Sequence, residues 1–64
     1  MRVEPLSRVA AELELCRRHS MEFERLLKRM DRIAALQKLV TAHAKEYGGL
    51  VTASRDRIRA QGAA

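Results

Sequence analysis

Apolar side chains recur at intervals of three and four residues through the first half of the chain. The series comprises Leu6, Val9, Leu13, Cys16, Ser20, Phe23, Leu27 and Met30, with Ser20 as its one small polar member. This spacing places the side chains in one line, or seam, along an α-helix. The aromatic content is 3%, which argues against a sheet because strands draw on aromatic and β-branched residues. The sequence therefore predicts an all-α protein.

The seam changes register after Met30. A second series continues the same rhythm with an offset: Ile33, Leu36, Val40, His43 and Tyr47. A continuous heptad pattern would not shift in this way. Asp31 fits as the N-cap of a new helix, because its carboxylate can accept hydrogen bonds from the first free amides. We favour an antiparallel helical hairpin over one continuous helix, since two amphipathic helices can cover each other; a break at residues 17–20, with Ser20 as cap, is a third possibility.

Two adjacent glycines, Gly48 and Gly49, follow the second series. Glycine readily takes the left-handed conformation that ends many helices, so we expect the second helix to stop after Tyr47. Thr52 then fits as the N-cap of a short C-terminal helix. The prediction is a single helical oligomerisation domain over residues 1–64, coiled-coil-like, with helices at about 6–29, 31–47 and 53–60.

A chain of 64 residues buries too little surface to make a comfortably stable monomer. The single cysteine, Cys16, excludes an internal disulfide, and the sequence shows no closely spaced ligand pairs of a zinc site. We therefore expect no metal and no cofactor. We expect Cys16 to behave as a small apolar side chain, His43 to lie in the seam and His19 to lie on the surface. Self-association remains as the means of stabilisation. The seam residues predicted to form the oligomer interface are Leu13, Cys16, Phe23, Leu27, Met30, Ile33, Leu36, Val40 and Tyr47.

Basic residues outnumber acidic ones, thirteen to eight, for a formal net charge of +5. A first basic group follows the spacing of a single helix face and consists of Arg25, Lys28, Arg29 and Arg32. A second basic group alternates near the C-terminus and consists of Arg55, Arg57 and Arg59. Both groups are candidates for phosphate contacts. Equally, the first group can be a solvated face that pairs with glutamates of a neighbouring subunit. The candidate nucleic-acid-binding residues are Arg25, Lys28, Arg29, Arg32, Arg55, Arg57 and Arg59.

Catalytic motifs are missing from the sequence: it has no nucleophile elbow, no phosphate-binding glycine loop and no H-E-x-x-H. We expect no catalytic residues and no enzymatic activity. No apolar run approaches the roughly 20 residues of a membrane span, and the first residues lead into no signal-peptide core. We therefore expect a cytoplasmic protein that does not bind membranes.

Two stretches resemble the small-subunit family of tailed-phage DNA-packaging terminases. They read LELCRRHSMEFERLL and LQKLVTAHAKEYGGLVTASRDRIR. The features shared with the family are a leucine-cysteine pair at Leu15 and Cys16, an aromatic at Phe23, an acidic-aromatic-glycine step at residues 46–48 and an arginine-rich turn at residues 52–58. The resemblance covers about residues 10–60.

The resemblance implies a non-catalytic subunit that forms a homo-oligomer, such as a ring. It also implies that the subunit binds double-stranded DNA with little sequence preference and recruits the large ATPase/nuclease subunit for genome packaging. The alternative is a dimeric helical-hairpin regulator, which pairs into a four-helix bundle and binds RNA or a protein partner. Stoichiometry separates the two, because six or more copies favour the terminase and two copies favour the regulator.

Overall fold

The computed structural model describes the backbone of residues 3–62 and the side chains of residues 5–62. Within this range every element of regular secondary structure is an α-helix, which confirms the predicted all-α class. The helices are α1 (Val3–Arg18), α2 (Ser20–Leu27), α3 (Arg32–Ala42) and α4 (Ala44–Gly62). The predicted domain also includes residues 1, 2, 63 and 64, which lie outside the described residues. None of the described helices is both long and apolar enough to cross a membrane.

The chain folds back on itself between α2 and α3. Helix α1 packs mainly against α4, α2 packs mainly against α3, and α3 also contacts α1. The alternative of one continuous helix is therefore wrong. The reversal occurs where Met30 N–H donates to the Leu26 carbonyl at 3.0 Å and closes α2. Asp31 then caps α3, accepting a hydrogen bond from Ala34 N–H at 2.8 Å as predicted.

Each arm of the fold bends at a histidine. His19 separates α1 from α2, and His43 separates α3 from α4. Both have nearly the same backbone angles, φ −118° and ψ 42° for His19 and φ −119° and ψ 43° for His43. Helical hydrogen bonds continue on both sides of each histidine, since His19 N–H donates to Leu15 and Phe23 N–H donates to His19. The third possibility, a break at residues 17–20, is thus present as a bend at one residue, although Ser20 begins α2 and does not cap it.

The predicted helix stop at Gly48 and Gly49 is wrong. Helix α4 passes through both glycines, and no glycine among the described residues has a positive φ. Thr52 does not begin a new helix; its hydroxyl donates to the Gly48 carbonyl at 3.1 Å, one turn earlier in the same helix. Two glycines inside a helix cost about 1 kcal/mol each relative to alanine. The packing of α4 along α1 offsets this cost. Such packing cannot be predicted from neighbouring residues in the sequence.

The start of the first helix also differs from the prediction. Helix α1 begins at Val3 and not near Leu6, so Pro5 lies inside its first turn. The first turn tolerates proline because its N–H groups have no partner within the helix.

Small side chains hold the arms together. The fully or almost fully buried residues, which we call the inner seam, are Ser7, Ala11, Leu15, Ala35, Leu39 and Ser54. Along α1 and α3 these residues are spaced four apart, so they lie on one face of each helix. Serine and alanine allow helix backbones to approach closely. The apolar seam predicted from the sequence lies one or two residues away from these positions on α1 and α3.

Candidate functional site

Several large apolar side chains of α1 and α3 lie at the surface. Leu13 is 62% exposed and Ile33 is 81% exposed, while Val9 is 53% exposed. A groove of about 200 Å³ runs between α1, α2 and α3, and a second depression on α3 adjoins it. The apolar residues that line the two, which we call the outer face, are Val9, Leu13, Cys16, Phe23, Ile33, Leu36 and Val40. Glu12 lines both depressions, and Arg32 lines the first.

Most of the predicted oligomer interface belongs to this outer face. The remaining members of the prediction are Leu27, which is 40% exposed, and Met30 and Tyr47, which are half-buried. None of the residues predicted for the interface is fully buried within the chain: Leu13, Leu27 and Ile33 are exposed, and the others are half-buried. Whether they lie between copies of the chain stays a prediction. Burial raises the pKa of the Cys16 thiol, which fits its expected behaviour as a small apolar side chain.

The basic residues of the first group do not share a helix face. Helix α2 ends at Leu27, so Lys28 and Arg29 lie in the turn and Arg32 begins α3. The predicted single-face stripe is therefore wrong, because the spacing was counted across a break in the helix. Arg25, Lys28, Arg29 and Arg32 are all exposed, and they flank the turn at one end of the molecule.

The second basic group lies on α4, and its members differ in exposure. Arg57 and Arg59 are exposed, whereas Arg55 is half-buried. Arg57 donates to the buried Ser54 hydroxyl at 3.4 Å, so its guanidinium lies over the inner seam. The three arginines therefore differ in their ability to reach a phosphate, and Arg59 is the least constrained of them.

The two histidines at the bends meet. Their rings stack with centroids 3.8 Å apart and an angle of 14° between the planes. The Nε2 atom of His19 lies 2.7 Å from Oε1 of Glu46, and the Nε2 atom of His43 lies 2.9 Å from Oε1 of Glu22. Both imidazole side chains are about three-quarters buried, at 26% and 25% exposed. The expected surface position of His19 is wrong, because the bend turns its ring inward against His43.

A network of ion pairs extends from this cluster along α1. Arg18 donates to Oε2 of Glu46 at 3.1 Å and to Oε2 of Glu14 at 2.9 Å. Hydrogen bonds from His19 and then Arg18 hold the pKa of Glu46 below its usual range. Arg17 and then Arg18 lower the pKa of the Glu14 carboxyl to about 2. These two carboxylates are thus ionised at neutral pH.

The cluster of His19, His43 and Glu46 was not predicted from the sequence. A fold symmetric about the turn would place His19 opposite Val40, but its ring stacks on His43, three residues further along the chain. The offset arises because α3 has 11 residues and α2 has 8. The only signal in the sequence was the presence of a histidine and a nearby glutamate on each arm.

Comparison of the chain with protein-family models, with curated proteins and with solved structures found no match.

Proposed function

We propose that this chain is a non-catalytic subunit that self-associates through the outer face. Within this proposal, it binds double-stranded DNA with low sequence specificity and recruits a large ATPase/nuclease subunit. The resemblance to small terminase subunits is what makes DNA packaging the specific role. Self-association and DNA binding also have support from the arrangement of the side chains.

The exposed outer face is the observation that carries the proposal. Only four apolar residues, Ala11, Leu15, Ala35 and Leu39, are buried within the described part of the chain, and two of them are alanines. Such a core is small for independent stability in a chain of this length. Meanwhile large apolar side chains on the same helices remain in contact with water. Burying them against a second copy removes this surface from water and supplies the missing stabilisation.

The charged residues beside the outer face also suit contact with a second copy. Glu12 and Arg32 line the groove together with its apolar residues. In a symmetric contact the same patch faces itself, so that an acidic group of one copy can lie near a basic group of the other. A face that carries both charges is self-complementary in this sense.

The oligomeric state of the chain tests the proposed self-association. Native mass spectrometry and light scattering at low micromolar concentration should find an assembly of the wild-type chain. Combined Leu13→Glu and Ile33→Glu changes should dissociate it, because an unpaired charge buried in an apolar contact costs several kcal/mol, as an order of magnitude. Ala53→Glu, an exposed change on α4 away from the outer face, is the matched control and should leave the assembly intact. A folded wild-type monomer would contradict the proposal.

The copy number decides between the proposed role and its alternative. Six or more copies support a packaging subunit that surrounds or presents DNA. Two copies support the regulator, in which two folded-back chains pair through the outer face into a four-helix bundle.

DNA binding has its own test. Changing Arg57 and Arg59 to Gln should weaken binding to duplexes of any sequence, because phosphate contacts carry no sequence information. The slope of log K against log salt should flatten by up to about 0.9 for each phosphate that the variant no longer neutralises. Lys45→Gln, an exposed change on the same helix, is the control. An unchanged slope together with loss of binding to the ATPase partner would make the end of α4 a docking segment.

The exposed group at the turn is tested in parallel. If Arg25, Lys28 and Arg29 contact phosphate, their combined change to Gln should flatten the salt slope in the same way. If only this set has an effect, DNA lies at the turn end of the molecule and α4 serves another purpose.

A further inference from the structure

The two bends bring nitrogen and oxygen donors from three helical segments to one place. Each of His19, His43 and Glu46 offers one potential ligand atom, and these atoms all lie within 4.8 Å of one another. His19 belongs to the α1–α2 bend, His43 to the α3–α4 bend, and Glu46 to the first turn of α4. The ligands of a tetrahedral zinc ion lie about 3.3–3.6 Å apart, because Zn–N and Zn–O bonds are about 2.0–2.2 Å long. The observed Nε2(His19)–Oε1(Glu46) distance of 2.7 Å and Nδ1(His43)–Oε1(Glu46) distance of 3.9 Å lie on either side of this range.

We infer that His19, His43 and Glu46 form a binding site for a divalent transition-metal ion of the zinc type. The ligands are Nε2 of His19, Nδ1 of His43 and a carboxylate oxygen of Glu46. A water molecule or another donor completes the coordination. The inference is independent of the proposed function, since it uses none of the outer face or the DNA-binding arginines.

The neighbours of the three ligands already have the arrangement that such sites use. Nε2 of His43 lies 2.9 Å from the Glu22 carboxylate. When that nitrogen carries the proton and donates to Glu22, the lone pair is left on Nδ1, which faces Glu46. A carboxylate that orients a metal-binding histidine in this way is common in zinc proteins. Arg18 holds the second oxygen of Glu46 at 3.1 Å and so limits rotation of that carboxylate.

The local charge also suits a cation. Glu22 and Glu46 are acidic and Arg18 is basic, so these groups together have a net charge of −1 when both imidazoles are neutral. Imidazole nitrogen and one carboxylate favour zinc and its neighbours in the transition series, whereas magnesium and calcium prefer oxygen ligands alone. Selectivity for zinc over magnesium is therefore expected.

Metal binding requires the imidazole stack to open. A metal ion lies near the plane of each imidazole that binds it, because the nitrogen lone pair lies in that plane. Two rings stacked at 3.8 Å with an angle of 14° cannot both direct a lone pair at one ion. One ring must rotate about its χ2 angle, so zinc should replace the stack with a coordinated cluster that fastens the two bends together.

The experiment uses the untagged full chain at about pH 7.5, because zinc binds the deprotonated forms of its ligands. Calorimetric titration with Zn²⁺ should saturate at one ion per chain at micromolar zinc, and an excess of Mg²⁺ should not compete. Zinc should raise the unfolding midpoint of the wild type. His43→Gln should abolish both effects. Zinc should also shift the imidazole nitrogen resonances of His19 and His43 in the wild-type spectrum, which tests the site even if the variant does not fold.

Two glutamate variants provide a matched pair. Glu22→Gln should weaken zinc binding about 10- to 100-fold, because it removes the charge that orients His43. Glu24→Gln, an exposed change in the same helix, should leave the affinity unchanged.

Cobalt identifies the ligands directly. Titration with Co²⁺ should give the visible bands of nitrogen and oxygen coordination, and Cys16→Ser should not alter them. Three results would overturn the inference: no uptake of zinc by the wild-type chain, binding that survives His43→Gln, or a thiolate charge-transfer band that disappears with Cys16→Ser.

Discussion

The inner seam and the outer face lie on the same helices but differ in side-chain size and in exposure. On α1, Ala11 and Leu15 are fully buried against the rest of the chain, whereas Leu13, between them in sequence, is 62% exposed. On α3, Ala35 is fully buried and Ile33 is 81% exposed. The buried residues are mostly small, and the exposed ones are large.

This difference shows that side-chain size does not determine which face of a helix turns inward. Two helices that meet through serine and alanine can approach closely, which gains many van der Waals contacts between backbones and side-chain stems. Large side chains on the neighbouring face are then available to a partner. The contrast predicts that changes to the inner seam affect the protomer and that changes to the outer face affect its assembly.

Leu15→Ala should have the largest effect on the protomer. Leu15 is fully buried, and such a truncation leaves a cavity that costs about 2–5 kcal/mol. Urea unfolding followed by circular dichroism measures the loss, which should not vary with protein concentration. Leu13→Ala is the control: its loss relative to wild type should shrink as the protein is diluted, because the change acts on assembly and both proteins dissociate at low concentration. Equal losses from both changes, each independent of concentration, would contradict the contrast between the two faces.

Ala11→Leu should destabilise the protomer by about 1–3 kcal/mol, because a larger side chain forces the closely packed helices apart. Ala10 provides the neighbouring control. It lines a shallow open depression with Ile58 and Gln61, so a leucine there has room. The free energy of unfolding should be lower for Ala11→Leu than for Ala10→Leu. A stable Ala11→Leu variant would mean that close approach of the helices is not required.

Gly48→Ala and Gly49→Ala should each stabilise the chain by about 0.5–1 kcal/mol. Both glycines lie in α4 without positive φ, and an added Cβ at either position meets nothing within 4 Å. Thermal unfolding measures the gain. Gly62→Ala, at the end of α4, should have a smaller effect because helix ends fray. Destabilisation by Gly48→Ala would instead support the helix stop that the sequence suggested.

Glu14→Gln should have the smallest effect, since surface ion pairs contribute little beside apolar burial. The pKa of Glu14 is lowered to about 2 by Arg17 and Arg18, so the carboxylate stabilises the fold above its unfolded pKa of 4.5. This contribution is lost as the pH falls from 4.5 toward 2. The difference in stability between wild type and variant should therefore be present at neutral pH and disappear near pH 2, as measured by urea unfolding across that range. A difference that persists at the acid end would show that Gln alters packing as well as charge.

Local signals in the sequence predicted part of this structure correctly. The three-four spacing and low aromatic content indicated helices, and Asp31 indicated where α3 begins. These features depend on neighbouring residues within one or two turns, so they can be read from the chain directly. Gly48 and Gly49 misled the same reasoning, because their cost in a helix is small beside the packing of α4 on α1.

The sequence by itself determined the helical class, the cap at Asp31 and the presence of more apolar surface than a chain of this size can bury. Only the tertiary structure decided which apolar residues face inward and that His19 meets His43 and Glu46. Both outcomes depend on the register between the two arms, to which α2 and α3 contribute unequal lengths. That register results from the packing of α1 on α4 over many residues at once. No single stretch of sequence contains it, since each helix alone can present either face to a partner.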